Sequence, residues 1–156
     1  MRTISKLFAI GLTLMSALLT ACGSKPIQGV IITGQNNHNW PVSSQAIKLT
    51  LDNTGMFETD IAVSPATGED MSSFSVDFSK YKFVVLDYNG ADWPEPMQKS
   101  FLDFAQVGGA IVIFHAANNS FTNWVEYNRI TALGGWEGRT RASGPYTYWK
   151  DGGLVK

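Results

Sequence analysis

The chain has 156 residues, a formal net charge of −1 at pH 7 and a single cysteine. This length supports one domain with a substantial core rather than two. The near balance of charge predicts neither nucleic-acid binding nor an acidic tail, and one cysteine excludes an internal disulfide framework.

The first 21 residues have the features of an export signal. Arg2 and Lys6 give a positive start, and the apolar stretch 7–18 is too short to span a bilayer. The stretch ends in Leu-Thr-Ala-Cys, which resembles the lipobox of bacterial lipoproteins. This resemblance implies cleavage before Cys22 and a lipid anchor on its sulfur, at the periplasmic face or the cell surface. The alternative is an ordinary signal peptide with an incidental cysteine.

Beyond the anchor, short β-branched segments alternate with helix-like stretches. We predict strands at 27–33, 57–64, 82–86 and 110–114, the last buried on both faces. We predict helices capped by Ser43 or Ser44, by Asp92 in a capping box with Glu95, and over 124–133. The alternation predicts an α/β fold with a doubly wound, mostly parallel sheet and helices on both faces.

Three tryptophans stand where helices are expected to begin. Asn39-Trp40-Pro41, Asp92-Trp93-Pro94 and Asn123-Trp124 each combine a potential side-chain cap with a tryptophan. Helix capping alone explains the Asn and Asp residues. Large aromatic side chains on surface loops usually cover something, and the apolar face of a sugar ring is a suitable partner.

Polar side chains follow three of the predicted strands. His38 lies after the first strand, Asp87 and Asn89 follow the third, and His115 directly ends the fourth. The carboxyl ends of parallel strands meet at one edge of a sheet, so these side chains are expected in one cleft. Histidine suits acid–base catalysis near neutral pH, and Asp87 would orient it. Singly, each histidine equally fits a loop residue that satisfies backbone groups.

Other chemistries have weaker support. His38, His115 and Asp87 are also a candidate ligand set for Zn or non-haem iron, although they come from separate loops. A glycosidase-type carboxylate pair would come from Asp87, Asp92, Glu126 and Glu137. The sequence contains no dinucleotide fingerprint, P-loop or serine-hydrolase elbow.

Several segments together resemble the trehalose-utilisation (ThuA-like) domain of bacterial secreted and lipid-anchored proteins. They are ITGQNNHNW, FVVLDYNGADWP, GGAIVIFHAANNSFTNWVEYN, LGGWEGR and SGPYTYWKDG, and they extend from about Gly29 to Gly152. The resemblance implies a class I glutamine-amidotransferase-like, flavodoxin-type fold and a link to sugar catabolism. Together with the lipobox-like segment, it divides the chain into a signal peptide (1–21), the lipidated Cys22 with its tether (22–28), and an incomplete ThuA-like domain (29–156).

The chain departs from the related families in two respects. Amidotransferases carry a cysteine nucleophile on the turn after a central strand, whereas the turn here is His115-Ala116-Ala117-Asn118. Glutaminase activity is therefore not expected. ThuA-like domains also usually continue further, so we expect the last strands to be missing, either through truncation or because a partner completes the domain.

We therefore expect a lipid-anchored domain that acts on, or binds, a saccharide or keto-sugar. The expected catalytic residues are His115, His38 and Asp87, and the expected ligand-binding residues are Asn89, Asn118, Trp40, Trp93, Trp136 and Arg139. An enzyme with this site would be of the hydrolase or lyase/isomerase type. The alternatives are a non-catalytic glycan-binding module and an inactive fragment.

Overall fold

The computed structural model describes residues 25–132 and 148–155. Its strands are β1 (Ile27–Thr33), β2 (Phe57–Val63), β3 (Phe83–Leu86), β4 (Ala110–Ile113), β5 (Tyr148–Lys150) and β6 (Gly153–Val155). Its α-helices are α1 (Trp40–Asp52), α2 (Glu95–Gln106) and α3 (Val125–Thr131), with short 3-10 helices at Phe78–Lys80 and His115–Asn119. Among these residues, no helix is both long and apolar enough to cross a bilayer.

The main sheet has the strand order β2-β1-β3-β4, and all of its pairs are parallel. The chain runs from β1 outward to β2 and then returns to the opposite side of β1, so the direction of winding reverses between β1 and β3. β5 and β6 form a separate antiparallel hairpin. The predicted doubly wound, mostly parallel α/β fold is confirmed.

The two faces of the sheet are covered unequally. On one face, Val84 and Leu86 pack in a large cluster with aromatic residues of α2 and of the segments around it, including the fully buried Phe101. On the other face, Phe83 and Val85 lie in a small cluster beside α1. Burial of one such side chain stabilises the fold by about 1.5–3 kcal/mol, so most of the apolar stabilisation lies on the α2 side.

The predicted helix caps are wrong. α1 begins at Trp40 after the N-cap residue Asn39, earlier than Ser43, and α2 begins after Pro94 with no side-chain cap from Asp92. α3 begins after Trp124, again without a side-chain cap. Prolines lie in the first turns of α1 and α2, where a residue that lacks an N–H leaves one less donor to satisfy.

The composition of β4 predicted burial on both faces, but the structure covers only one face of this strand. Ile111 and Ile113 pack against the α2-side cluster, but Val112 and Phe114 are 49% and 40% exposed. β4 is the last strand of the sheet among the described residues, and α1 lies over β1 and β2 rather than over β4. An apolar strand at this position therefore has one covered face and one open face.

Candidate functional site

Two histidines from separate strand ends meet above the sheet. His38 lies in the loop after β1 and His115 follows β4, with β3 between the two strands. Their ring centroids are 4.6 Å apart with an interplanar angle of 51°. Both side chains are exposed, so one small ligand can contact both imidazoles. The sequence prediction that these residues converge is confirmed in this respect.

His115 has a left-handed backbone conformation, with φ of 43°. The preceding residue, Phe114, still donates its N–H to the carbonyl of Leu86 at 3.0 Å, so the turn occurs where pairing with β3 ends. A residue other than glycine costs of order 1–3 kcal/mol in such a strained conformation. The surrounding structure therefore holds the imidazole in place at an energetic cost, as is common at functional sites.

Asp87 is buried near His38, with 1% of its surface exposed. Its carboxylate accepts hydrogen bonds from Asn36 Nδ2 at 2.9 Å and from Ser43 Oγ at 2.6 Å. Burial raises the pKa of Asp87, while these two hydrogen bonds and the nearby charge of His38 act in the opposite direction. The Asp87 carboxyl group is therefore not a solvated charge. It holds Asn36 and Ser43 through hydrogen bonds, and burial shifts the pH at which it is protonated.

Asn36 connects the buried carboxylate to the His38 loop. Its Nδ2 donates to Asp87, and its Oδ1 accepts the backbone N–H of His38 at 3.1 Å. Asp87 therefore acts on His38 by positioning the loop backbone through Asn36. Sequence reasoning identified neither Asn36 nor Ser43 as a site residue, because Ser43 matched a helix cap and Asn36 was one of several polar loop residues.

Gln35 joins the loops that follow β1, β2 and β3. Its buried side chain donates from Nε2 to the carbonyl of Pro65 at 2.8 Å and accepts the N–H of Ala91 at Oε1, also at 2.8 Å. Its backbone carbonyl accepts the N–H of Asn89 at 2.8 Å. Gly90 is required beside it, because a Cβ at that position would collide with the Gln35 side chain. Gln35 was also missed from the sequence.

Amide side chains join the loops that follow β1 and β3. Asn89 Nδ2 donates to Asn37 Oδ1 at 3.2 Å, which joins the loop after β3 to the loop after β1. Each amide retains further donor or acceptor capacity. Convergent neutral donors and acceptors of this kind suit a ligand with many hydroxyl groups.

The predicted tryptophan rim is contradicted at Trp93 and stays a prediction at Trp40 and Trp136. Trp93 is 2% exposed and packs against Phe101 and Phe121, so its assignment to the rim is wrong: the aromatic core takes up the indole. Trp40 is half-buried at the start of α1, and Asn118 is half-buried in the 3-10 helix after β4. Trp136 and Arg139, as well as Glu137, lie outside the described residues.

The geometry gives no support to the other predicted chemistries. Within residues 25–132 and 148–155, no three His, Cys, Asp or Glu side chains form a group that could hold a metal ion. The candidate ligand set of His38, His115 and Asp87 is therefore not brought together as a metal centre. Glu126 lies on α3 beside Arg129 and α2, in a separate surface hollow from the cleft.

A parallel sheet ordered β2-β1-β3-β4, with polar loops gathered where its winding reverses, defines the flavodoxin-like class of α/β proteins. Within this class, the chain is similar to a solved structure described as a ThuA-like protein from Parabacteroides merdae ATCC 43184. The two share 59% identity with a TM-score of 0.73. At 59% identity over most of its length, the chain resembles this ThuA-like protein in both sequence and fold.

The similarity covers 84% of this chain and 47% of the Parabacteroides protein, so the chain spans about half the length of that relative. A second solved structure, described as a ThuA-like protein from Bacteroides uniformis ATCC 8492, has 21% identity and a TM-score of 0.48. That match covers 70% of this chain and 46% of the Bacteroides protein. Neither a family model nor a curated protein matches the chain.

Proposed function

We propose that this ThuA-like domain binds a saccharide or keto-sugar in the cleft where the winding of the sheet reverses, and that His38 and His115 transfer protons to and from it. The observation that carries this proposal is the pair of imidazoles with ring centroids 4.6 Å apart, next to the buried Asp87. The neutral amides of Asn37 and Asn89 would bind hydroxyl groups of the ligand.

Two adjacent imidazoles supply a base and an acid at the same site. One neutral ring would accept a proton from a ligand hydroxyl or from a carbon next to a carbonyl, and the other, protonated, would donate to the oxygen that gains charge. Asp87 would keep His38 in place through Asn36. This arrangement supports lyase, isomerase or hydrolase chemistry, and the turn after β4 lacks the thiol that glutaminase chemistry requires.

The second candidate is a glycan-binding module without chemistry. The linked amides of Asn37 and Asn89 favour it, since they suit hydroxyl recognition alone. The burial of Trp93 weighs against it, because this indole has no exposed face on which a sugar ring could pack.

Titration with trehalose and with a keto derivative of trehalose tests the proposal. Calorimetry measures affinity, and NMR of the ligand measures conversion. His115→Ala is expected to abolish conversion and to change affinity less than tenfold, whereas Glu126→Gln on α3 should change neither. Binding without conversion by the wild-type chain would favour the glycan-binding module, and no binding of either sugar would contradict both functions.

Membrane attachment is part of the same proposal. The lipobox-like segment ending at Cys22 supports lipidation and export, and the short tether would hold the domain near the bilayer surface. A domain in this location would meet saccharides outside the cytoplasm.

A further inference from the structure

The four strands of the main sheet begin at one edge, opposite to the edge that carries the candidate site. There the N–H of Ile27 donates to the carbonyl of Met56 at 2.9 Å, and the N–H of Lys82 donates to the carbonyl of Gln28 at 2.8 Å. The N–H of Ala110 donates to the carbonyl of Lys82 at 3.1 Å. We call this side of the domain the starting edge, and it comprises residues 25–27, 53–56, 80–82 and 107–109.

Three apolar side chains of the starting edge are exposed. Val107 is 85% exposed, Met56 is 59% exposed and Ile27 is 46% exposed. They extend from the start of β2 to the turn before β4, and the strand order β2-β1-β3-β4 gives this distance as about 14 Å. Apolar surface that is grouped on one side of a domain marks a contact surface, and a partner that reaches all three residues must be broad.

The position of Cys22 in the chain limits where a lipid on its sulfur can lie. Cys22 precedes Ile27 by five residues, so its Cα atom is at most about 18 Å from the start of β1. From Ile27 to Thr33, β1 extends about 20 Å. The segment is therefore too short to bring Cys22 to the edge where the strands end, and a bilayer that holds the lipid is closest to the starting edge.

Charge at the starting edge suits a phospholipid surface. Lys82 and Val107 line one hollow of about 500 Å³, so a cation lies beside an exposed apolar side chain. Within residues 25–132 and 148–155, Lys82 forms no ion pair, whereas Asp103 of the same hollow is paired with Lys99 at 2.7 Å. An ammonium group next to apolar side chains can contact lipid phosphates while those side chains enter the interface.

We propose that the starting edge rests on the phospholipid bilayer into which the lipid on Cys22 inserts, so that the cleft opens away from this bilayer. The inference rests on the proposed lipid attachment. Weak contacts suffice, because the tether keeps the domain at a high effective concentration beside the surface. Since β1 places the cleft about 20 Å farther from the bilayer, the site would take saccharides dissolved in the aqueous phase rather than headgroups of the same membrane.

Fluorescence quenching tests the orientation. The full chain is expressed in a bacterium as Val107→Cys or Val63→Cys, and the new thiol is labelled with a fluorophore, since the lipid blocks the sulfur of Cys22. Val63 is the matched control, because it is 52% exposed at the opposite end of β2. The lipidated proteins are placed on vesicles of phosphatidylethanolamine and phosphatidylglycerol, and the quenchers are a headgroup nitroxide lipid and iodide in solution.

The nitroxide lipid should quench the label at position 107 at least threefold more than the label at position 63, and iodide should show the reverse order. Equal quenching by the nitroxide lipid would overturn the proposal. Residues 133–147 of the same chain are the competing cover for this edge, and protection of the label at position 107 from both quenchers would favour them and overturn the proposal.

Incorporation of labelled palmitate, measured on the same preparations, separates this inference from the proposed lipid attachment. A lipidated chain with equal quenching at the two positions would overturn the orientation and leave the attachment in place. A chain without lipid on Cys22 would overturn both.

Met56→Glu tests whether the starting edge itself contacts the bilayer. A carboxylate at this exposed position opposes insertion into an anionic surface, so quenching at position 107 by the nitroxide lipid should fall at least twofold. Val42→Glu is the control, because Val42 is 62% exposed in the first turn of α1, near the opposite edge. Unchanged quenching in Met56→Glu, or an equal fall in Val42→Glu, would overturn the proposed contact.

Discussion

His115 is strained in a way that the sequence did not reveal. The apolar strand before His115 and the position of His115 at the end of that strand were predictable from the sequence. Its positive φ was not, because the tertiary structure determines the turn at this residue. Strain of this kind at a polar residue is an observation from which a functional role follows as a hypothesis.

Replacement of His115 by glycine should stabilise the domain while removing its proposed activity. Glycine adopts positive φ without the Cβ clash, so we expect the free energy of unfolding to rise by about 1 kcal/mol. Urea denaturation measures this change. His38→Gly is the control, because His38 is not among the residues with positive φ and should show no gain. Equal effects of the two substitutions would contradict the role of strain.

Asp87→Asn should alter the dependence of stability on pH. The pKa of Asp87 is raised by burial above the ordinary value of 3.8, so the folded state binds this proton more tightly than the unfolded state does. The resulting stabilisation is complete below the unfolded pKa and is lost as pH rises through the folded pKa. Each unit of increase in pKa corresponds to about 1.4 kcal/mol.

Chemical denaturation at pH values from below 3.8 to above the folded pKa of Asp87 should therefore show that Asp87→Asn gains stability relative to wild type as pH rises. Asn retains partners for Asn36 and Ser43, because its amide both accepts and donates. Asp92→Asn makes the same chemical change at an exposed position and serves as the control. Parallel stability curves for wild type and Asp87→Asn would contradict the argument.

Among the elements, the strands and the start of α3 were predictable, and the starts of α1 and α2 were not. Apolar, β-branched runs predicted β1, β3 and β4, and alternation of residue types predicted β2, each within one residue of the observed bounds. α1 and α2 begin with a proline in the first turn, which leaves one less N–H to satisfy, and neither has a side-chain cap. Whether the second face of β4 is covered depends on the position of another element, so the sequence of the strand alone cannot predict it.

Substitutions of Trp93 test whether this residue stabilises the core or contacts a sugar at the surface. The indole is packed among aromatic rings, and its Nε1 has no hydrogen-bond partner among the described residues. Trp93→Phe should therefore cost about 1 kcal/mol of unfolding free energy, whereas Trp93→Ala should cost about 3–5 kcal/mol. Calorimetric unfolding measures both values. Loss of sugar affinity in a stably folded Trp93→Phe variant would instead support the rim role.

For the whole molecule, the strand ends that carry the candidate site residues were predictable from the sequence. The hydrogen bonds that hold these residues in place were not. The alternation of strands and helices in the sequence predicted that His38, Asp87 and His115 lie at one edge of the sheet. The links through Asn36, Ser43 and Gln35 join residues that are distant in the sequence, and no local pattern marks such pairs.

Lipid attachment is testable on the intact chain. Expression in a bacterium with labelled palmitate should give a labelled protein in the membrane fraction, and Cys22→Ser should give unlabelled protein that is released from it. The reason is that Cys22 is the only cysteine and several acyl chains on one residue anchor a protein stably. A labelled Cys22→Ser protein would contradict the assignment.

The Gln35 side chain lies where a side chain at position 90 would project, and this links two positions that are far apart in the sequence. In an alignment of ThuA-like sequences, we expect the two positions to covary. A residue larger than glycine at position 90 should accompany a shorter residue at position 35, together with a new donor for the Pro65 carbonyl and a new acceptor for the Ala91 N–H. The floor of the cleft would then change as a unit during evolution, while the histidines above it varied independently.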